Sequence, residues 1–183
     1  MKRIIVVSTL VLGVIVNVAI AGHEVVVKEA GIIFTLPDKW TRKAQPMNRA
    51  PTEKADSAPL MLAWARASLL DPKGRTVSPG LNLIVSQAPP NAQIVIASAT
   101  LMHGRRWPFK AFLTGDKDGL RLPNTLGYLT EFSPVDDVVL KAFVVHILND
   151  GKFVEIILSA TQEVFPEVEG ELRSIIRSLR LIE

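Results

Sequence analysis

Apolar residues in this chain come in short blocks separated by glycine and proline, and each block has its own period. Glu24-Val25-Val26-Val27 and Ile32-Ile33-Phe34-Thr35-Leu36 are β-branched runs around a turn containing Gly31, which predicts a hairpin ended by Pro37 and Asp38. Trp40 follows as an anchor that packs back onto the sheet. Residues 41–59 hold Pro46, Pro51 and Pro59 with little periodicity, and read as a mobile surface loop, with a binding lid as the alternative. Leu60–Ala67 and Leu81–Ser86 read as strands of a second hairpin, whose long tip is punctuated by Asp71-Pro72-Lys73-Gly74 and Ser78-Pro79-Gly80. Ile94–Met102 favours a short helix through Ala97, Ala99, Leu101 and Met102, although Ile94, Val95 and Ile96 would also suit a strand. Gly104, Pro108, Gly115, Gly119 and Pro123 make residues 103–125 mostly loop.

The sharpest local pattern lies further on. Val138–Leu148 and Phe153–Ala160 flank Asn149-Asp150-Gly151-Lys152, and a central Asp-Gly pair favours a two-residue type I′ turn. Asn149 then faces Lys152, and the residue numbers of every facing pair add to 301. One face carries Phe143, Val145, Ile147, Val154, Ile156 and Leu158. The other carries Ala142, Val144, His146, Leu148, Phe153, Glu155, Ile157 and Ser159, too apolar to be left in water. Both faces need cover, which points to helices or long loops on each side of an antiparallel sheet. One cover is Pro166 and the stripe Val168, Leu172, Ile175, Ile176 and Leu179, a helix with Glu167, Glu169 and Glu171 early and Arg173, Arg177 and Arg180 late. The expected fold class is therefore α+β, a central antiparallel sheet covered by helices on both faces as an α/β/α sandwich.

The first 21 residues change the meaning of the composition. Lys2 and Arg3 precede an apolar run from Ile4 to Val16, and Ala19-Ile20-Ala21 offers small residues ahead of Gly22. That order is expected of a signal peptide cut after Ala21, leaving one domain at 22–183; a retained membrane anchor is the alternative. The whole chain has 183 residues and a formal charge of +3, but without Lys2 and Arg3 it has 19 basic residues against 18 acidic ones. The basic pI thus says little about nucleic acid. With no cysteine, an exported chain has no disulfide, thiol nucleophile, thiolate metal site or lipid-attachment cysteine.

Candidate chemistry is sparse. The chain lacks a Gly-x-Ser-x-Gly elbow, a His-Glu-x-x-His pair and a phosphate-cradling Gly-x-x-x-x-Gly-Lys-Ser/Thr loop. The turn arithmetic sets His146 opposite Glu155, a pair that reads either as a site in a groove or as a cross-strand contact at the partly covered edge of the sheet. Arg105-Arg106-Trp107-Pro108-Phe109-Lys110 interleaves cations with aromatics. It reads either as a docking loop for an acidic partner, an anionic lipid surface or nucleic acid, or as a loop fastened by Trp107 and Phe109 with its charges solvated. The export signal and the charge left without the leader disfavour nucleic acid. Gly115-Asp116-Lys117-Asp118-Gly119 would need a glutamate at 127 to form a calcium loop; Gly127 stands there, so a surface turn is expected. His23, His103 and His146 lack metal-ligand spacing, and no metal or cofactor is expected.

Leu36-Pro37-Asp38-Lys39-Trp40, Phe153-Val154-Glu155-Ile156-Ile157-Leu158-Ser159-Ala160 and Ser178-Leu179-Arg180-Leu181 together resemble the PsbP/Mog1-like domains and their bacterial relatives of unknown function. The resemblance covers about residues 24–182. It implies a central antiparallel sheet between helical layers, and accessory or binding roles: attachment to photosystem II, binding of a small GTPase, or chaperoning of hydrophobic effector segments. No binding residue of those members maps onto a position here. The export signal counts against a GTPase partner and a cytoplasmic chaperone. The expectation is an exported, periplasmic, non-catalytic binding or accessory protein whose partner is an envelope protein or a small ligand and not nucleic acid, with contact to the membrane only if the leader is retained. The alternatives are an envelope hydrolase centred on His146 and a membrane-tethered, chaperone-like protein.

Overall fold

β-Branched runs and helix stripes become elements where their periods predict them, and several further strands join them. A computed structural model describes residues 22–44, 59–135 and 137–182. The expected leader at 1–21 and residues 45–58 of the expected loop or lid lie outside the described residues. In chain order the elements are β1 (Gly22–Val27), β2 (Ile32–Pro37), β3 (Trp40–Arg42), β4 (Leu60–Arg66), β5 (Leu69–Leu70), β6 (Thr76–Val77), β7 (Gly80–Gln87) and α1 (Ile94–Arg105). They continue with β8 (Phe109–Phe112), α2 (Gly115–Asp118), β9 (Thr125–Val135), β10 (Val138–Asn149), β11 (Lys152–Thr161), α3 (Phe165–Ser178) and β12 (Arg180–Leu181). The result is an α+β fold of mostly antiparallel sheets with three helices.

The main sheet has seven strands in the order β3-β4-β7-β11-β10-β9-β8. Its centre is the hairpin β10–β11, and the ladder from Leu140↔Thr161 to Asn149↔Lys152 keeps the expected register throughout. Asp150 at φ 48° and Gly151 at φ 69° supply the two positive φ angles that a type I′ turn requires. The second expected hairpin also forms, with Leu60↔Val85 through Ala65↔Gly80 joining β4 to β7, and its tip folds into the small β5–β6 ladder. The opening hairpin β1–β2 pairs Gly22↔Pro37 to Val27↔Ile32, but it lies in a separate sheet that β12 completes by pairing Arg180↔Ile33.

Alternation along β10 and β11 divides the core in two. Phe143, Val145, Ile147, Val154, Ile156 and Leu158 join Ile32, Phe34 and Leu36 of β2 and Val168, Leu172, Ile175 and Ile176 of α3 in one cluster. Trp40 is buried in that cluster as expected, and its indole N–H donates to Glu171 at 3.2 Å. On the opposite face Tyr128, Ala142, Val144 and Ile157 form a smaller cluster, against which Met102 of α1 and Trp107 pack.

Residues 103–125 are not mostly loop. The helix begun at Ile94 continues to Arg105, β8 forms at the sheet edge, and α2 occupies Gly115–Asp118. Glycine and proline mark the ends of these short elements instead of one long connection. The 115–119 segment is more than a surface turn, because Asp118 is buried, accepts the Thr114 N–H at 2.8 Å and pairs with Arg173 of α3. Gly127 lets this segment lie close over β9: a Cβ there would stand 2.7 Å from Leu120 and 2.9 Å from Leu113.

Candidate functional site

His146 and Glu155 face each other across β10 and β11, as the turn arithmetic requires. They are not at a partly covered edge. Two strands flank the pair on one side and three on the other, and relative exposure falls to 0% for His146 and 3% for Glu155. A carboxylate buried this deeply is costly unless its oxygens are engaged. His146 Nε2 lies 3.0 Å from Glu155 Oε1. An ionised carboxylate only accepts, so Nε2 is the nitrogen that carries the hydrogen.

The remaining partner comes from 50 residues away. Arg105 donates from Nη1 to Oε1 and from Nη2 to Oε2 at 2.5 Å, a two-pronged grip on the carboxylate. Helical spacing explains why Arg105 is available, since Ile94, Ala97, Ser98, Leu101, Met102 and Arg105 form the less exposed stripe of α1. The helix stops there because Arg106 takes the left-handed conformation at φ 54°, its N–H bonded to the His103 carbonyl. Thr130 then donates its hydroxyl to the Pro108 carbonyl at 2.8 Å, which ties the connection after α1 to β9.

Burial pushes the Glu155 carboxyl up, but hydrogen bonds from His146 and Arg105, with the Arg105 charge behind them, hold it below the usual carboxylate range. Burial raises the neighbouring Tyr128 hydroxyl to about 12; the Glu155 charge adds to that shift and Arg105 opposes it. The Tyr128 and His146 rings meet edge to face at 5.6 Å, and Phe153 approaches the imidazole at 5.1 Å. Ser98 Oγ, Tyr128 Oη and His146 Nδ1 are buried without hydrogen-bond partners among the described residues.

The two candidate groups read from the sequence therefore meet in part. Arg105, Trp107, His146 and Glu155 come together, whereas Arg106, Phe109 and Lys110 remain at the surface. Trp107 is half-buried, with the Arg105 guanidinium 4.7 Å from its ring centre and Phe132 stacked at 4.1 Å. Phe109 does not fasten the segment to the core, because it is 44% exposed on an edge strand. Nor are all the cations solvated without partners: Arg105 grips Glu155 and Lys110 pairs with Glu131 at 2.9 Å. Sequence reasoning missed Ser98, Tyr128, Thr130 and Phe132. The legible clue was the helical stripe, which extended one more turn would have aimed Arg105 inward.

Neither a family model nor a curated protein matches the sequence. By structure the chain is similar to cyanobacterial PsbP from Synechocystis, with a TM-score of 0.52 at 15% identity, over 93% of this chain and 98% of that one. It is similar to the Ran-binding protein Mog1p of Saccharomyces cerevisiae, with a TM-score of 0.54 at 11% identity, over 90% and 97%. The fold is PsbP/Mog1-like. LpqN of Mycobacterium tuberculosis, a protein involved in cell envelope biogenesis, aligns at a TM-score of 0.51 and 13% identity over 87% of this chain and 84% of that one. The chain also spans 49% of the length of a Bacteroides thetaiotaomicron protein of similar fold, at 6% identity.

Within this PsbP/Mog1-like fold, α1 separates two surface cavities. One, about 430 Å³, is bordered by Arg105, Arg106, Trp107, Phe132, Ser133 and Val139. The other, about 370 Å³, lies beside Gln87, Asn91, Ile96, Thr100, Leu101 and Phe153. His146 lines neither, and no serine, threonine or aspartate hydrogen-bonds to it among the described residues. No group of three histidine, aspartate or glutamate side chains among them is placed to hold a metal ion. No helix among them is long and apolar enough to cross a membrane.

Proposed function

We propose that the chain is an exported, periplasmic, non-catalytic binding or accessory protein of the cell envelope, a PsbP/Mog1-like α/β/α sandwich. The observation that carries this reading is the closure of its most reactive group: both Glu155 oxygens are taken by His146 and Arg105, and the imidazole is wholly buried. A general base must reach a substrate proton, directly or through one water. A locked, buried pair suits a scaffold better than a hydrolase. The basic leader ending Ala19-Ile20-Ala21 supports export, and LpqN supplies a precedent for this fold in envelope biogenesis. The partner is then an envelope protein or a small ligand, with the membrane involved only if residues 1–21 persist.

Fractionation of cells expressing the full chain, followed by intact-mass measurement, tests the location. A periplasmic species beginning at Gly22 is the expected result. Full-length chain in the membrane fraction would favour the tethered alternative, and full-length chain in the cytoplasm would overturn the reading. Hydrolysis of a chromogenic ester that disappears in His146→Gln, with folding retained, would restore the hydrolase.

A further inference from the structure

Strand β8 ends the main sheet, so one of its two backbone edges has no neighbouring strand among the described residues. Leu113 donates its N–H to the Gly127 carbonyl at 2.8 Å. By the alternation of an antiparallel ladder, the N–H of Phe112 points away from β9. An outward row of this kind is a template for another strand, and proteins usually blunt it with an outward lysine, a proline or a covering element. Here the lysine is turned aside, because Lys110 pairs with Glu131. The proline, Pro108, precedes the strand and leaves its amides free.

The side chains reinforce the backbone. A register shift between Phe109 and Ala111 lets both Phe109, opposite Thr130, and Phe112, opposite Tyr128, stand on the α1 side of the sheet. Their rings lie 4.6 Å apart and are 44% and 59% exposed. Two adjoining phenylalanines in water on an open edge form an apolar surface with nothing over it among the described residues. Charge distinguishes the occupants. Around β8, Arg105 is neutralised by Glu155, Lys110 by Glu131, and Asp118 by Arg173. Arg106, Lys117 and Arg121 remain without ion-pair partners among the described residues, against Asp116 alone.

We infer that the outer edge of β8 is a docking site for an extended, acidic segment of a partner protein, added to the sheet as an eighth strand. Main-chain bonds to the Phe112 amide supply the pairing, Phe109 and Phe112 receive alternate apolar side chains, and the cations at both ends of the strand select acidic residues. This rests on reading the chain as a binding protein and specifies how it binds.

The test uses the mature chain and a fluorescein-labelled octapeptide that alternates glutamate with valine, followed by fluorescence anisotropy. The expected result is saturable binding, about tenfold weaker for the matching lysine–valine peptide, an amount corresponding to about 1.4 kcal/mol. Phe112→Pro, which deletes the outward donor, should abolish binding. Phe109→Ser with Phe112→Ser retains the backbone and should weaken binding by about tenfold or more. Melting curves identify any variant that fails to fold, and the serine pair keeps the test decisive if the proline variant does. Equal affinity for the two peptides, or undiminished binding by the serine pair, would overturn the proposal. So would a concentration-dependent dimer of the free chain that Phe112→Pro dissolves, since the edge would then belong to a second copy. The fractionation result does not depend on any of these outcomes, so failure at β8 would leave export standing.

Discussion

On the α3 face of the central sheet, Phe143, Val145, Ile147, Val154, Ile156 and Leu158 meet helix and strand residues that are apolar and almost wholly buried. On the α1 face the same two strands present Ala142, Val144 and Ile157 together with His146 and Glu155, and the helix above sends down Ser98 and Arg105 beside Leu101 and Met102. Burial of apolar area is non-directional, so the centre of the α3 face is held by many interchangeable contacts, and its two-pronged pair, Arg66 with Glu171, lies toward the β3–β4 edge. A two-pronged hydrogen bond has a direction, so the α1 face is held by one specific contact. Helix α1 could not rely on area alone, because Val95 and Ile96 point outward and are 62% and 61% exposed.

Substitutions should separate the two faces. The largest effect is expected from Phe143→Ala, which empties a wholly buried site between Phe165 and the Arg173 guanidinium and should cost about 3–5 kcal/mol in urea unfolding. Arg105→Met leaves the Glu155 carboxylate buried with His146 alone and should cost about 3 kcal/mol. Adding Glu155→Leu should recover only part of that loss, because it removes the uncompensated buried charge but leaves the His146 Nε2 hydrogen without an acceptor. No such rescue exists for Phe143→Ala. If Arg105→Met proved as stable as the parent, the directional account of the α1 face would fail.

The smallest effect is one of pH. Glu155 titrates below the ordinary glutamate value of 4.5 in the folded protein. Its contribution is therefore complete above that value and is lost as the pH falls below 4.5 through the depressed folded value. The Arg105→Met, Glu155→Leu double variant should lose less stability than the parent over that acid window. Glu171, held low by Arg66 and Trp40, remains in both proteins with Asp71 and Glu163, which are also held low, and the three contribute a common slope. Parallel curves would show that Glu155 contributes nothing to acid sensitivity.

The same contrast decides what could be read in advance. Hairpin β10–β11 and helix α3 have strict periods and strong punctuation, so their register, faces and ends follow from Asp150-Gly151, Pro166 and the leucine–isoleucine stripe. The His146–Glu155 pairing comes with that register. Strand β9 is harder to see, because Gly127 and Pro134 interrupt it and Thr130 and Glu131 dilute its apolar residues. Strand β8 is four residues long and exposed throughout, which leaves no burial pattern to detect. Arg105 joins Glu155 only once α1 is known to run to residue 105, over strands nearby in space and distant in sequence. A contact of that kind leaves no local trace.

The position of Arg105 at the last residue of α1 has a mechanical consequence. At its other end the helix starts from Gln93 with no side-chain cap and no acidic residue in the first turn. One end is clamped to the middle of the sheet, and the other rests on a cleft of about 370 Å³. The first turn of α1, around Ile96, is therefore the less firmly held end of the helix. Lengthening the helix by one residue ahead of Arg105 would turn the guanidinium by about 100° and open the clamp.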